Sequence, residues 1–301
     1  MLKTKGRVTC MSFIISDKQH LATNEKRSEY KTFVVKGPDF QPHMIDVNFG
    51  HPLYMSASDI YAITCNKTEP INVPVIPDGC ISMVFIGTDE SMEGKVCGTI
   101  DEVKKVVLNP GETFLSIRFQ PSAANSLILE NASSFTNSSV DIKDCIRNGS
   151  QILSAANREM EIQHKALLLS KLIRIRMKDD QSNYLIRYCT DRIYERNGNI
   201  KISELGTETG YSERYLGKVF EKYVGISPKM YCEIMRLQNS LTKLVNGSKK
   251  EPLINLALDS GFFDHAHMNR CYKRFLHCSS GTLRKHGFSC LDYDAMDFFV
   301  V

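Results

Sequence analysis

Long apolar runs are missing from this 301-residue chain. No stretch of about 18 or more apolar residues occurs, which excludes a membrane-spanning helix. The basic opening MLKTKGRVTCMSFIIS ends its apolar run near Ile15, with no small-residue cleavage site after it, so no secretory leader is expected. Catalytic signatures are missing too: there is no Gly-rich phosphate loop, HExxH, GxSxG or Walker pattern. Asp78, between Pro77 and Gly79, reads as turn chemistry. The ten cysteines form no CxxC pair and nearly all lie in apolar stretches, where a reduced thiol packs as a small hydrophobe. His265 and His267 stand two apart on a helix and do not share a face. Together these absences predict a non-enzyme with no metal site and no cofactor. The scattered thiols fit a reducing, cytoplasmic setting.

What is present is ordinary for a folded protein: 42% hydrophobic and 24% charged residues, enough to fill sizeable cores. The net charge of +4 is unevenly spread. Residues 183–287 hold 17 Lys and Arg against 10 Asp and Glu, residues 1–182 hold 21 of each, and the tail 288–301 adds three Asp. A basic segment beside a neutral one points to a polyanionic partner for the former.

Residues 8–119 read as β. IYAITC, CISMVFIG, KKVVL and TFLSIRF have strand length and β-branched or aromatic content, with turns at Pro77-Asp78-Gly79, Gly87-Thr88-Asp89 and Asn109-Pro110-Gly111. Alternation puts Ile81, Met83 and Phe85 on one face, and Arg118 opposite Leu115, Ile117 and Phe119. PSAANSLILE (121–130) reads as a helix opened by proline, ENASSFTNSS as a loop, and 150–178 as helical with one apolar stripe. That stripe suits either a dimer seam or an internal core.

From Asn183 to His286 the chain reads as helix at about 183–196, 201–208, 212–222, 228–246, 251–259, 264–275 and 280–286. Ser203 or Asn199, Ser212, and Ser227 before Pro228 are the expected caps. Residues 202–228 and 253–280 are two copies of one unit. Leu205 matches Leu256, Gly210 matches Gly261, Leu216 matches Met268 and Phe220 matches Tyr272, with one extra residue in the second copy. Each copy is helix, tight turn, helix. Arg214, Gly217 and Lys218 face outward on the second helix of the first copy, and His265, Ala266, Asn269, Arg270 and Lys273 on that of the second. Arg and Lys pair with guanine O6/N7 and Asn with adenine N6/N7, so these eight are the candidate DNA contacts.

Those residues carry a resemblance. With SPKMYCEIMRLQ (227–238), ALDSGFFDH (257–265) and RCYKRF (270–275), residues 183–286 resemble the AraC/XylS-type DNA-binding domain. The resemblance implies two helix-turn-helix subdomains joined by the 228–246 helix, entering successive major-groove segments roughly 34 Å apart on one face of the DNA. The chain departs from the family at His277, Cys278, Ser279 and Ser280, where Gly-x-Ser-Pro is usual, and at Gly217, where a long base-reading side chain is common. PDGCISMVF (77–85) and SIRFQPSAA (116–124) resemble the sensor region of one branch of such regulators.

The expected architecture is α+β: a β-rich barrel-like or sandwich sensor domain (1–130), a helical linker with a dimerisation role (131–182), a double helix-turn-helix domain (183–287) and an acidic-aromatic tail (288–301). The 183–287 segment is expected to fold and bind DNA alone. The expected function is sequence-specific transcription regulation on promoter DNA, under a small-molecule effector, with RNA polymerase and a second copy of the chain as partners. Phe85, Arg118 and Phe119 are the candidate effector contacts: aromatic walls with one fixed charge suit a small anion. A structural ion pair is the other role open to Arg118. The alternative function is architectural DNA binding without an effector.

Overall fold

The computed structural model describes residues 30–177, 184–248, 250–297 and 299. The strands are β1 (His43–Ile45), β2 (Ala57–Thr64), β3 (Ile71–Val75), β4 (Ser82–Gly87), β5 (Met92–Cys97), β6 (Lys104–Leu108), β7 (Thr113–Phe119) and β8 (Ser139–Asp141). Six form an antiparallel sheet in the order β1-β2-β7-β4-β5-β8, and β3 pairs with β6 apart from it. Helices α1 (Ile142–Cys145), α2 (Gly149–Ala156) and α3 (Ile162–Arg176) follow. The basic segment is all helix: α4 (Tyr184–Glu195), α5 (Ile202–Thr209), α6 (Glu213–Tyr223), α7 (Pro228–Asn246), α8 (Leu253–Asp259), α9 (His265–Leu276) and α10 (Ser280–His286).

Strand alternation divides the apolar residues between two cores. Ile60, Ala62, Ile81, Met83, Phe85, Leu115, Ile117 and Phe119 pack toward α1, α2 and α3, burying Ile142, Ile152, Ala166, Leu169 and Ile173. Tyr61, Ile63, Val84 and Phe114 face the other way, into one core with β3, β6 and the C-terminal helices. The large sheet is therefore a middle layer between two sets of helices.

The C-terminal helices begin and end close to where their apolar periodicity places them, because their caps are local. Ser212, Ser227, Asp264 and Ser279 each accept a backbone N–H from the first turn of α6, α7, α9 and α10. Helix α5 starts instead at Lys201, without a side-chain cap. His277 takes the left-handed conformation (φ 58°) that usually calls for glycine, so α9 still stops there and α10 still forms.

Two expectations for the middle of the chain fail. Residues 121–130 form only a 3-10 turn at Ala123–Ser126, and Ile128 then bridges to Ile146. The polar loop after it holds, with the 3-10 turn Ala132–Phe135 burying Phe135, and leads into β8 at Ser139. The 150–178 helix is broken between α2 and α3, and its stripe is largely spent inside the chain, leaving Leu167 and Ile175 as its exposed large apolar residues. A dimer seam on this stripe has little apolar surface left to use.

The sheet and the helical segment meet over a buried ionic cluster. Arg118, 4% exposed, lies with its Nε 2.8 Å from Asp78 and its Nη1 3.5 Å from Asp59, and it donates to Tyr61 Oη at 3.1 Å and to Thr32. The PDGC turn is held by Cys80 N–H donating to Asp78 at 2.8 Å, and Tyr30 donates to the Asp78 carbonyl. Burial outweighs Arg118 and holds the Asp78 carboxyl above the usual carboxylate range. Gly79 (φ +74°) lies against α7, where an added Cβ would come within 2.5 Å of the Tyr231 ring. Gln238 of α7 donates to the Pro77 carbonyl at 2.6 Å and accepts Phe33 N–H at 2.7 Å.

The tail closes onto the same body. Lys105 N–H donates to the Asp297 carbonyl at 3.0 Å and Phe299 N–H to the Lys105 carbonyl at 2.8 Å, while Lys104 pairs with Asp297 at 3.0 Å. A 183–287 fragment therefore loses the sheet that covers its helices. Removing the charge at Arg118 leaves two buried carboxylates without their cation. Arg118→Met is expected to cost about 3–5 kcal/mol of stability, read as a lower urea midpoint. An unchanged midpoint would show that the cluster contributes nothing.

Candidate nucleic-acid interface

Each helix-turn-helix unit is a short helix, a turn through a left-handed glycine and a second helix: α5, Gly210, α6, and α8, Gly261, α9. The inner face of each second helix is fixed by burial of Leu216 and Phe220 in α6, and of Met268, Tyr272 and Phe275 in α9. Helix α7 joins the units and is itself deeply buried, through Tyr231, Ile234, Leu237 and Leu241.

The outward faces hold the expected residues. Arg214, Lys218, Ala266, Arg270 and Lys273 are exposed, and Gly217 is open, with nothing within 4 Å of where a Cβ would stand. The electrostatics separates two classes of cation. Arg192 pairs with Glu208 at 2.7 Å, Arg274 pairs with Glu233, and Arg236 donates to the Gly198 carbonyl at 2.7 Å. Those cations brace the bundle. Among the described residues, Arg214, Lys218, Arg270 and Lys273 make no side-chain hydrogen bond or ion pair. They keep their full donor capacity, as groups that meet phosphates or guanine edges must.

Two candidates are already engaged. Asn269 accepts from Ser280 N–H at 3.0 Å and Ser280 Oγ at 2.7 Å, and its Nδ2 stands 3.1 Å from His265 Nε2. Ser280 takes the place of the family's proline and so brings an N–H that must be satisfied at the start of α10. Asn269 satisfies it, which ties α9 to α10 and removes the amide from easy base contact. His265 is half-buried in the same triad.

Sequence reasoning missed two aromatics. Phe263, 84% exposed, precedes α9 and stands where the second copy has its extra residue. Its N–H donates to His267 Nδ1 at 3.3 Å while Asp264 accepts His267 N–H, a reciprocal cap that fixes the approach to α9. Tyr215, 46% exposed, stacks on Tyr211 with centroids 4.8 Å apart.

The candidate effector contacts do not come together. Phe85 and Phe119 lie in the core beneath α1, α2 and α3, whereas Arg118 lies on the opposite face, committed to Asp78 and Asp59. The structural ion pair is the role Arg118 takes here.

Residues 205–286 match a family model described as a helix-turn-helix domain, and residues 58–141 match a domain of unknown function (DUF6597). The C-terminal unit is a helix-turn-helix domain. It is 24% identical over 111 residues to the probable transcription factor PqrA of Proteus vulgaris, covering 37% of this chain and 88% of that protein. The HTH-type regulator YbfI of Bacillus subtilis is 33% identical over 70 residues, which is 23% of this chain and 24% of that one. HTH-type regulators of Staphylococcus aureus are 28% identical over 101 residues, 34% of this chain but 13% of their own length. Among solved structures, ToxT of Vibrio cholerae aligns over 81% of this chain and 96% of its own at 14% identity and a TM-score of 0.40.

Within this helix-turn-helix domain, Arg270→Ala is expected to cost about 1–3 kcal/mol on the preferred site and to relax selection at one base pair, measured by competition binding. Equal loss on every duplex would show a phosphate contact instead. Asn269→Ala is expected to lower stability by about 1 kcal/mol and leave base discrimination unchanged. Altered discrimination at normal stability would return Asn269 to the base-reading set.

Proposed function

We propose that the chain is a sequence-specific, DNA-binding regulator of transcription, and not an enzyme. The observation that carries this reading is the set of unpaired cations on the outward faces of α6 and α9, the second helices of two copies of one unit, in a bundle where Arg187, Arg192, Arg236, Arg274 and Arg284 are ion-paired or bonded to carbonyls. Arg214, Lys218, Arg270 and Lys273 supply phosphate and guanine contacts, and Gly217 and Ala266 permit close approach of the helix to base edges. Residues 183–287, joined to the sheet through α7, form the DNA-binding domain, and residues 30–177 its sensor and support. RNA polymerase at the promoter and a second copy on a repeated site are the partners this activity calls for. The cysteines of the described residues are all unpaired, in keeping with a reducing cytoplasm.

In vitro selection from a random duplex pool with the purified full chain tests the proposal. One enriched motif, bound about a thousandfold or more above bulk DNA, is expected. Uniform binding to all duplexes would move the protein to the architectural class.

A second reading, effector control, is favoured by one cleft. A cavity of about 450 Å³ opens between the loop at His51–Ser56, the turn at Pro121–Ala123, the end of α3 at Arg174 and the start of α4 at Arg187. It has the size of a small-molecule site and adjoins both halves of the chain, so an occupant there touches the sheet and the DNA-binding segment together. A ligand acts only by binding DNA-competent and incompetent forms differently. Metabolites that raise the melting temperature of the full chain are expected to lose that effect in Ala123→Trp, which fills the cleft. Hits that stabilise the variant equally would place the effector elsewhere.

A further inference from the structure

The domain of unknown function touches both recognition helices at their C-terminal ends, where a helix leaves carbonyls without partners. At the end of α6 three consecutive carbonyls each receive a donor from that domain. Asn125 Nδ2 donates to Tyr223 O at 2.5 Å, Thr99 Oγ1 to Val224 O at 2.6 Å and Thr136 Oγ1 to Gly225 O at 2.8 Å. Gly225 has φ +89°, and a Cβ there would approach Thr136 Oγ1 to 2.8 Å, so the fit is close. At the end of α9, Val103 N–H donates to Phe275 O at 2.7 Å, and Glu102 lies 3.2 Å from His277 Nε2.

Thr99 and Val103 belong to one short segment, the β5–β6 connection, which crosses from the six-stranded sheet to the β3–β6 pair. Thr99, Ile100 and Val103 are buried. The segment is itself anchored: Gly98 N–H donates to Ser138 O, Asn137 N–H to Thr99 O and Asp101 N–H to Asn137 Oδ1, each at 3.0 Å. A Cβ at Gly98 would run into the Phe135 carbonyl. An extended chain advances at most about 3.6 Å per residue, so these two attachment points stay within a short, fixed span. Helix α7 sets the order of the two units, and this strap fixes the far ends of their recognition helices.

We propose that residues 98–103 are a spacer that sets the distance between the two recognition helices, making Thr99 and Val103 positioning residues for the spacing between the two half-sites the protein accepts. The inference rests on the two-groove DNA reading proposed above. It gives the domain of unknown function a direct part in DNA specificity without any contact to DNA.

The test is selection from a random duplex pool with three full-length proteins: the wild type, Thr99→Val/Asn125→Leu/Thr136→Val, and Thr99→Ser, which keeps the hydroxyl donor. The wild type is expected to enrich two boxes at one spacing. The triple variant is expected to enrich the same boxes with spacing scattered by a base pair or more. It is expected to bind the wild-type site about tenfold more weakly, with single-box affinity unchanged. Thr99→Ser is expected to keep the wild-type spacing. Thr99→Val alone gives the same reading if the triple variant does not fold. A single spacing that survives in a folded donorless variant, or is lost in Thr99→Ser, overturns the spacer while leaving the DNA reading intact. A wild-type pool with no enriched motif takes both down.

Discussion

The buried pairing of Arg118 with Asp78 and Asp59 is the constraint on which the joint between the two halves depends. One cation lies among two carboxylates, the Tyr61 hydroxyl and Thr32, on the sheet face that meets the helical segment. Asp78 also receives the Cys80 amide, so satisfying the arginine fixes the PDGC turn, and the turn fixes Gly79 against Tyr231 of α7. Burying two carboxylates and one arginine is costly, and replacing such clusters with apolar residues is often neutral or stabilising. The return here is register: the cluster allows few positions of α7 on the sheet, which a uniform apolar contact would not.

Helix α7 passes that register on to the DNA-binding units. It is the core of the helical segment and the link between the two units, so its seat on the sheet locates both. The apolar core runs without a break from Tyr61 and Phe114 of the sheet to Phe220, Tyr231 and Phe275 of the helices. The two halves are therefore one packed body, and the cleft beside α3 and α4 is a seam within it.

The helical segment was legible because its information is local. A 3.6-residue apolar period, Ser and Asp caps and a repeat of Gly-aromatic turns each lie within one element. The face of Arg118 was legible from strand alternation, but its partners come from β2 and the PDGC turn, and nothing in a strand pattern names them. Asn269 shows the limit inside a helix. Its outward position could be read, yet Ser280, 11 residues on, claims its carbonyl because the departure from Gly-x-Ser-Pro leaves an N–H to satisfy. The break between α2 and α3, and the pairing of β5 with β8, depend on contacts with the sheet and left little trace in local composition.

The central claim is that α6 and α9 enter successive major-groove segments through unpaired cations. Methylation protection at guanine N7, with the full chain on its selected duplex, tests this most directly. The account predicts two protected guanine clusters on one face of the DNA, roughly one helical turn apart, with the cluster facing α9 lost in Arg270→Ala. A single cluster unaffected by Arg270→Ala, or protection confined to minor-groove adenine N3, would contradict it.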